Sequence, residues 1–294
     1  MKLIKKNRVL FIVVAILLLL GISRILLNKI ALDKRTSPAA EKKLATHRLP
    51  EDIKKELQKT SSIATFRVPI LLYHYVEYVK DKGDTIRQSL NINPYIFEKQ
   101  IQTLKDAGYT FITVGELGKV LDAEMSLPRK PVIITFDDGY EDFYTDVLPL
   151  LKKYNVKATA YIVAGAMGRL NYMSKDEIGK AIESGLVEIG AHSMYHRYLK
   201  GISYNEAKFE IEQSKANLEQ EFGVSVVSFA YPYGAFDKQA VKFVQDAGFK
   251  TSVSTVPGID VSDLNRYFIF RIRPGARTGI ELLQYLEGNS FKEY

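Results

Sequence analysis

The decapeptide ITFDDGYEDF, residues 134–143, sets Asp137 and Asp138 side by side between a β-branched run and a glycine. Adjacent carboxylates raise one another's pKa unless a cation or a hydrogen-bond donor intervenes, so the pair requires a partner. Histidines are the candidates. The chain has four, and all but His47 stand beside apolar runs: His74 in LLYHYV, and His192 and His196 in AHSMYH. His-x-x-x-His sets two imidazoles on one helical face or in one tight loop, either of which suits a single metal ion. With Asp138 they make a set of three protein ligands with an open fourth position, as a catalytic Zn²⁺ or similar divalent ion needs. The cation would neutralise Asp138 and leave Asp137 free as a base toward water. Taken singly, Asp-Asp-Gly is a turn signal and His74, between two tyrosines, a packing residue. Their joint occurrence at strand ends favours a site.

Residues so far apart in the chain need a scaffold that gathers them. Strands are predicted at VPILLYHYV (68–76), TFITV (110–114), PVIITF (131–136), ATAYIVA (158–164), LVEIGAHS (186–193), VVSFAYP (226–232), KTSVST (250–255) and YFIFRI (267–272). Helices lie between them. Asn93-Pro94 opens one, Ser174 and Ser203 begin Ser-x-x-Glu capping boxes closing on Glu177 and Glu206, and Gly108 and Gly248 follow two helix ends. Near-continuous apolar strands alternating with helices predict an α/β fold, a parallel sheet closed or nearly closed into a (β/α) barrel. Chemistry in that architecture sits at the C-terminal ends of the strands, where His74, Asp137-Asp138, His192 with His196, and the YPYG run at 231–234 all fall.

The N-terminus is different in kind. MKLIKKNRVLFIVVAILLLLGISRILL places Lys2, Lys5, Lys6 and Arg8 ahead of an apolar run from Val9 to Ile22, a charged region followed by a membrane-inserting core. No small-x-small cleavage site follows promptly, so residues 1–32 are expected to be an uncleaved signal anchor, residues 33–65 a polar stalk, and residues 66–294 the globular domain. The positive flank keeps the N-terminus cytoplasmic and places the domain outside the cell, single-pass at the membrane, or secreted if the segment is cleaved. The formal charge of +7 belongs to that leader: residues 1–65 carry 14 Lys/Arg against 5 Asp/Glu, and the remainder 27 against 29. A nearly neutral domain excludes the electrostatic footprint of a nucleic-acid binder. With no cysteine there is neither a disulfide framework nor a thiolate metal site.

TFDDG together with HSxxH resembles the first two motifs of the polysaccharide deacetylases of the NodB-homology type, carbohydrate esterase family four. These are metal-dependent enzymes that remove N-acetyl groups from glucosamine polymers on a distorted (β/α)7 barrel. The resemblance spans roughly residues 68–290. It implies Asp137 as catalytic base; Asp138, His192 and His196 as ligands of one divalent ion, Zn first, with Co, Ni or Fe as alternatives; and an extracellular N-acetylated polysaccharide as substrate. FAYPYG is similar to the third motif, with Tyr231, Pro232, Tyr233 and Gly234 forming or backing a groove wall, though Phe229 or a neighbour stands where that motif begins with arginine. The family's C-terminal Leu-x-His is missing, since no histidine follows His196. LLYHYV is instead similar to a stretch in the circularly shifted poly-N-acetylglucosamine deacetylases, which implies His74 as the general acid. The arginine beside the base is expected from FRIRP, as Arg271 in preference to Arg273.

Amide hydrolysis must stabilise a tetrahedral oxyanion and protonate an amine that cannot leave as an anion. The first falls to the metal and a backbone N–H near Tyr233, the second to His74. Tyrosines in the motifs offer faces for sugar rings. The expectation is a monomeric extracellular N-deacetylase, poly-N-acetylglucosamine favoured. The alternatives are a peptidoglycan, chitin-oligomer or xylan deacetylase with the same site, or a non-catalytic surface glycan-binding module.

Overall fold

The structure, a computed structural model, describes residues 48–57, 65–79, 81 and 83–288. The anchor expected at 1–32, and most of the stalk, lie outside the described residues. Among the described residues no helix is long and apolar enough to cross a membrane.

Six strands form a curled parallel sheet: β1 (Ile70–Tyr73), β2 (Pro131–Phe136), β3 (Ala158–Ile162), β4 (Val187–Ala191), β5 (Ser228–Ala230) and β6 (Thr251–Val253), in spatial order β6-β5-β4-β3-β2-β1. Thr110–Phe111 pairs with the start of β2. Residues 269–272 join the two ends of the sheet through isolated parallel bridges, Val253 with Ile269 and Leu71 with Ile272. The run expected as a strand at 267–272 is therefore a bridging segment. Its backbone leaves ladder geometry because Arg271 N–H bonds to the Val256 carbonyl, beyond β6.

Strand alternation sorts side chains to the two faces of the curl. Ile70, Ile133, Tyr161, Ala230, Val253 and Ile269 fill one cluster inside it. Leu71, Tyr73, Val132, Ile134, Phe136 and Ile189 belong to the larger cluster against the helices. Since Ile133 points inward, so do Thr135 and Asp137.

The helix starts follow the sequence signals. Asn93 caps Pro94–Asp106, and Ser174 forms a capping box with Glu177 at Lys175–Glu183. Ser203 accepts from the Glu206 N–H, but the Glu206 carboxylate turns to the Ser203 hydroxyl. The strand expected at 110–114 is shorter, because Thr113 and Glu116 make a capping box that begins the helix Val114–Leu121.

A second difference lies at the domain edge. The helix Glu51–Leu57, within the expected stalk, packs onto the domain with Ile53 buried in the main core and Leu49 and Leu57 against it. Full burial of one isoleucine stabilises by roughly 1.5–3 kcal/mol. The described part of the compact unit accordingly begins ahead of this helix, at Arg48. Its apolar positions were sparse enough in sequence to resemble a solvated segment.

Candidate active site

The register of β1 and β2 pairs Tyr73 with Phe136, so the next residues, His74 and Asp137, emerge side by side at the carboxyl end of the sheet. The Asp137 N–H donates to the Tyr73 carbonyl at 3.0 Å. Its carboxylate is 2% exposed and takes two parallel bonds from Arg271, Nη1 to Oδ1 and Nη2 to Oδ2, both 2.7 Å. Arg271, 1% exposed, is itself held by Nε to the Ser254 carbonyl at 2.8 Å and Nη1 to Thr135 Oγ1 at 3.1 Å. Burial works to raise the Asp137 pKa, but the charge of Arg271, then His192, outweighs it and holds the carboxyl below its ordinary range. Asp137 is thus ionised at neutral pH.

Asp138 turns the other way. Its φ of +78° is one that aspartate tolerates better than most residues, and it aims the carboxylate at the loop following β4. Asp138 Oδ1 lies 3.3 Å from His192 Nε2 and 3.1 Å from His196 Nε2. The ligand atoms of the three residues all fall within 4.8 Å of one another. His192 is fixed by its backbone N–H to the Ile162 carbonyl at 2.9 Å and by Nδ1 against the Ala230 carbonyl at 2.8 Å. With Nδ1 carrying the hydrogen, the Nε2 lone pair points toward a carboxylate oxygen, and that oxygen is buried with no hydrogen-bond partner. Lone pairs so opposed need a positive charge between them.

The electrostatics agree. Burial opposes the ionised form of Asp138, yet His196 and His192 hold its pKa well down; burial likewise opposes the imidazolium of His192, yet Asp138 and Asp137 hold it above its ordinary value. Both shifts mean that the trio favours a cation. Two imidazoles and a carboxylate fit a divalent metal ion.

His74 is half-buried beside this set. Burial pushes its imidazole down to about 4, against the pull of Asp138 and Asp137 and with the help of Arg273 and Arg271. Arg273, two residues beyond Arg271, is exposed. Of the two arginines, only Arg271 holds Asp137.

The YPYG run divides. Tyr231 is fully buried, its hydroxyl donating to the Tyr267 carbonyl at 2.9 Å, and Pro232 and Gly234 are buried too. Tyr233 alone reaches the trio, its ring centroid 4.5 Å from that of His196. Tyr233 (φ 60°) and His196 (φ 54°) are both left-handed, at a cost on the order of 1–3 kcal/mol each that functional sites commonly carry. Tyr140, directly after the Asp-Asp-Gly turn, stacks on Tyr75 at 3.9 Å. The Ala230 carbonyl, which sets the His192 tautomer, escaped sequence reasoning because a backbone acceptor leaves no mark on residue type. Ser254 acts through its carbonyl in the same way.

Residues 124–252 match the polysaccharide deacetylase family. YxkH of Bacillus subtilis (strain 168), which bears the name of a polysaccharide deacetylase, is 29% identical over 239 residues, 80% of this chain and 82% of its own. A poly-β-1,6-N-acetyl-D-glucosamine N-deacetylase of Staphylococcus aureus is 30% identical over 189 residues, 60% of this chain and 65% of its own. Among solved structures, a Streptococcus pyogenes deacetylase in complex with acetate matches with a TM-score of 0.69 at 27% identity, covering 76% of this chain and 99% of that one. A Bacillus cereus polysaccharide deacetylase matches with a TM-score of 0.67 at 26% identity, covering 76% and 69%. Fold and likeness together define a hydrolase of the N-deacetylase class. The chain carries a polysaccharide deacetylase domain of the NodB type. His74 and Arg271 lie outside the matched residues 124–252, and folding alone brings them to the site.

Proposed function

We propose that the protein removes N-acetyl groups from an extracellular N-acetylglucosamine polymer, poly-N-acetylglucosamine first among candidates, in a metal-dependent reaction. One observation carries the metal dependence: the buried, unpartnered Asp138 Oδ1 facing two imidazole nitrogens. The likeness to the Staphylococcus aureus poly-β-1,6-N-acetyl-D-glucosamine N-deacetylase supports the choice of polymer. The basic, apolar leader at 1–32 supports attachment to the membrane with the domain outside.

Asp138, His192 and His196 hold the ion, which when bound supplies Lewis-acid polarisation of the acetyl carbonyl. Asp137 takes a proton from the attacking water. Arg271 occupies one lone pair on each of its oxygens and orients the carboxylate, leaving a second lone pair on each. Burial holds the imidazole of the free site neutral at pH 7, so His74 takes up one proton from solvent as negative charge develops on the substrate and raises its pKa, while Asp137 keeps the proton taken from water. The departing amine then takes the proton held by His74.

Acetate release from a panel of N-acetylglucosamine oligomers by residues 46–294 tests the reading. Release is expected with zinc, abolished by a chelator and restored by zinc. A zinc-loaded protein that frees no acetate from any N-acetylated glycan refutes it.

A further inference from the structure

His74, the proton donor of the proposed reaction, is followed directly by a ring that none of that chemistry uses. Tyr75 is buried and stacks on Tyr140, centroids 3.9 Å apart and planes inclined by 17°. The Arg87 guanidinium lies over the same ring, its Cζ 4.5 Å from the centroid. Two groups this close to one centroid cannot share a face, so Tyr75 is sandwiched between them. Tyr140 carries the stack on to Tyr172, at 5.0 Å, and the two also form an antiparallel backbone bridge. One residue further along, the Val76 N–H donates to the buried carboxylate of Asp142 at 2.5 Å. The turn that carries Asp137 and Asp138 therefore grips the chain after His74 twice, by rings at Tyr75 and by a hydrogen bond at Val76. None of the described residues hydrogen-bonds the His74 ring, so this backbone is what aims the imidazole.

Arg87 is itself held in place. Its Nη1 lies 2.6 Å from Glu77 Oε1 and its Nε 3.5 Å from Asp84 Oδ2. The Arg87 N–H donates to Asp84 Oδ1 at 2.9 Å in the first turn of the helix Thr85–Leu90. Glu77 is fixed in turn, its N–H donating to Asn91 Oδ1 at 3.0 Å and its carbonyl accepting from Asn91 Nδ2 at 2.9 Å, where Tyr75 and Val76 pair with Asn91 and Ile92. Surface ion pairs of this kind add little stability by themselves. Here they turn a guanidinium flat onto a ring, with only 23% of its side chain left exposed, and partial desolvation strengthens such a contact.

We infer that Arg87 is a positioning residue for His74: it presses Tyr75 onto Tyr140, and the sandwich fixes the backbone from which the imidazole is aimed at the leaving nitrogen. The role rests on the deacetylase reading and on His74 as its proton donor. Misplacing a reacting group by about 1 Å can cost on the order of 10²-fold in rate, so modest loosening of this backbone suffices to be felt. A stack that only held the fold together would alter stability and leave the ratio of amide to ester turnover unchanged.

The test uses the zinc-loaded full-length protein as wild type, Arg87→Gln, Arg87→Lys, Tyr75→Leu and the double variant Arg87→Gln with Tyr75→Leu, on an N-acetylglucosamine oligomer and on a small activated acetyl ester. Arg87→Gln should lower kcat on the oligomer by about 2- to 30-fold, the range of one cation–ring contact. KM, zinc affinity and ester turnover should stay at wild-type values, because the ester's leaving group needs little protonation. Arg87→Lys keeps a cation for the ring and should recover most of the loss. Tyr75→Leu should lose at least as much, and adding Arg87→Gln to it should cost nothing more, since Arg87 acts through that ring. If Tyr75→Leu does not fold, the two Arg87 variants decide alone. Wild-type kcat on the oligomer in Arg87→Gln, an equal loss on oligomer and ester, or a raised KM at unchanged kcat overturns the positioning role. If wild type frees acetate from no N-acetylated glycan, the deacetylase reading fails and the role falls with it; an active wild type beside an unaffected Arg87→Gln removes the role alone.

Discussion

The Asp137–Arg271 pair offers the sharpest test, because its energy follows from burial alone. Both side chains are almost fully enclosed, at 2% and 1% exposure, and joined by two bonds of 2.7 Å. Arg271→Met keeps an unbranched side chain of similar length but leaves a carboxylate inside the sheet with its main counter-charge gone. Breaking one side of such a pair costs ~3–5 kcal/mol, mostly the penalty of the stranded charge. Asp137→Asn strands the guanidinium in turn, which keeps Ser254 and Thr135 as acceptors. The double variant strands neither, so its loss should fall short of the sum of the singles by at least ~1.5 kcal/mol, within the coupling seen for contacting residues. Urea unfolding of the metal-stripped protein at pH 7 reads all four forms, with unchanged m-values showing that the transition stays comparable. The pH dependence has a definite sign. In Arg271→Met, Asp137 keeps burial without its guanidinium, so its folded pKa rises above the unfolded one; the penalty is absent below the unfolded pKa and grows as pH rises through the interval. Single losses under about 1 kcal/mol, or additivity within ~0.3 kcal/mol, would refute the account.

Other outcomes follow from the same structure. Asp142 is buried, accepts the Val76 N–H at 2.5 Å, and is pushed up to about 7 chiefly by burial, with the Val76 bond opposing. Its folded pKa exceeds the unfolded one, so its cost is absent below about pH 4, grows to about pH 7 and is constant above. Asp142→Asn should therefore gain stability over wild type between pH 4 and pH 8, by a few kcal/mol at most (1.36 kcal/mol per pKa unit); a difference in melting temperature that is flat over that range contradicts this. His192→Ala and His196→Ala should weaken zinc binding by more than the ~10–100-fold that loss of a ligand's own hydrogen-bond partner causes, and zinc should raise the melting temperature of wild type but of neither variant. Wild-type affinity in either variant would remove that residue from the ligand set. His74→Ala should retain zinc and lose ~10²–10⁴ in amide turnover, yet hydrolyse an activated ester at close to the wild-type rate, whose leaving group needs little protonation. Equal losses on both substrates would make His74 a packing residue.

The site was legible in sequence where residue type and short spacing carry the chemistry. Asp137-Asp138 and His192-x-x-x-His196 are local patterns, and strand β2 matched its predicted limits, 131–136, because a continuous apolar run bounded by a proline and an acidic turn leaves few alternatives. The anchor expected at 1–32 lies outside the described residues. Context misled where a residue's partner is remote. Thr113 reads as strand until Glu116 closes the capping box, and the helix Glu51–Leu57 reads as stalk until Ile53 finds a core to enter. Tyr231 and Tyr233 stand two residues apart in one motif, yet one fills the core and the other meets His196.

What the sequence by itself determined was the kind of chemistry: a carboxylate pair and an imidazole pair at strand ends, with too little charge in the domain for nucleic acid. Which atoms meet was decided only by tertiary structure. Arg271 lies 134 residues from Asp137 and His74 far from both histidine ligands. No local propensity links them. Strand register does, because closing a curled sheet brings the ends of its distant strands to one rim and alternation then turns those side chains inward. The selection of Arg271 over Arg273 has the same cause: Arg271 is enclosed within the curl and reaches Asp137 where low polarity makes the pairing strong, while Arg273 is exposed.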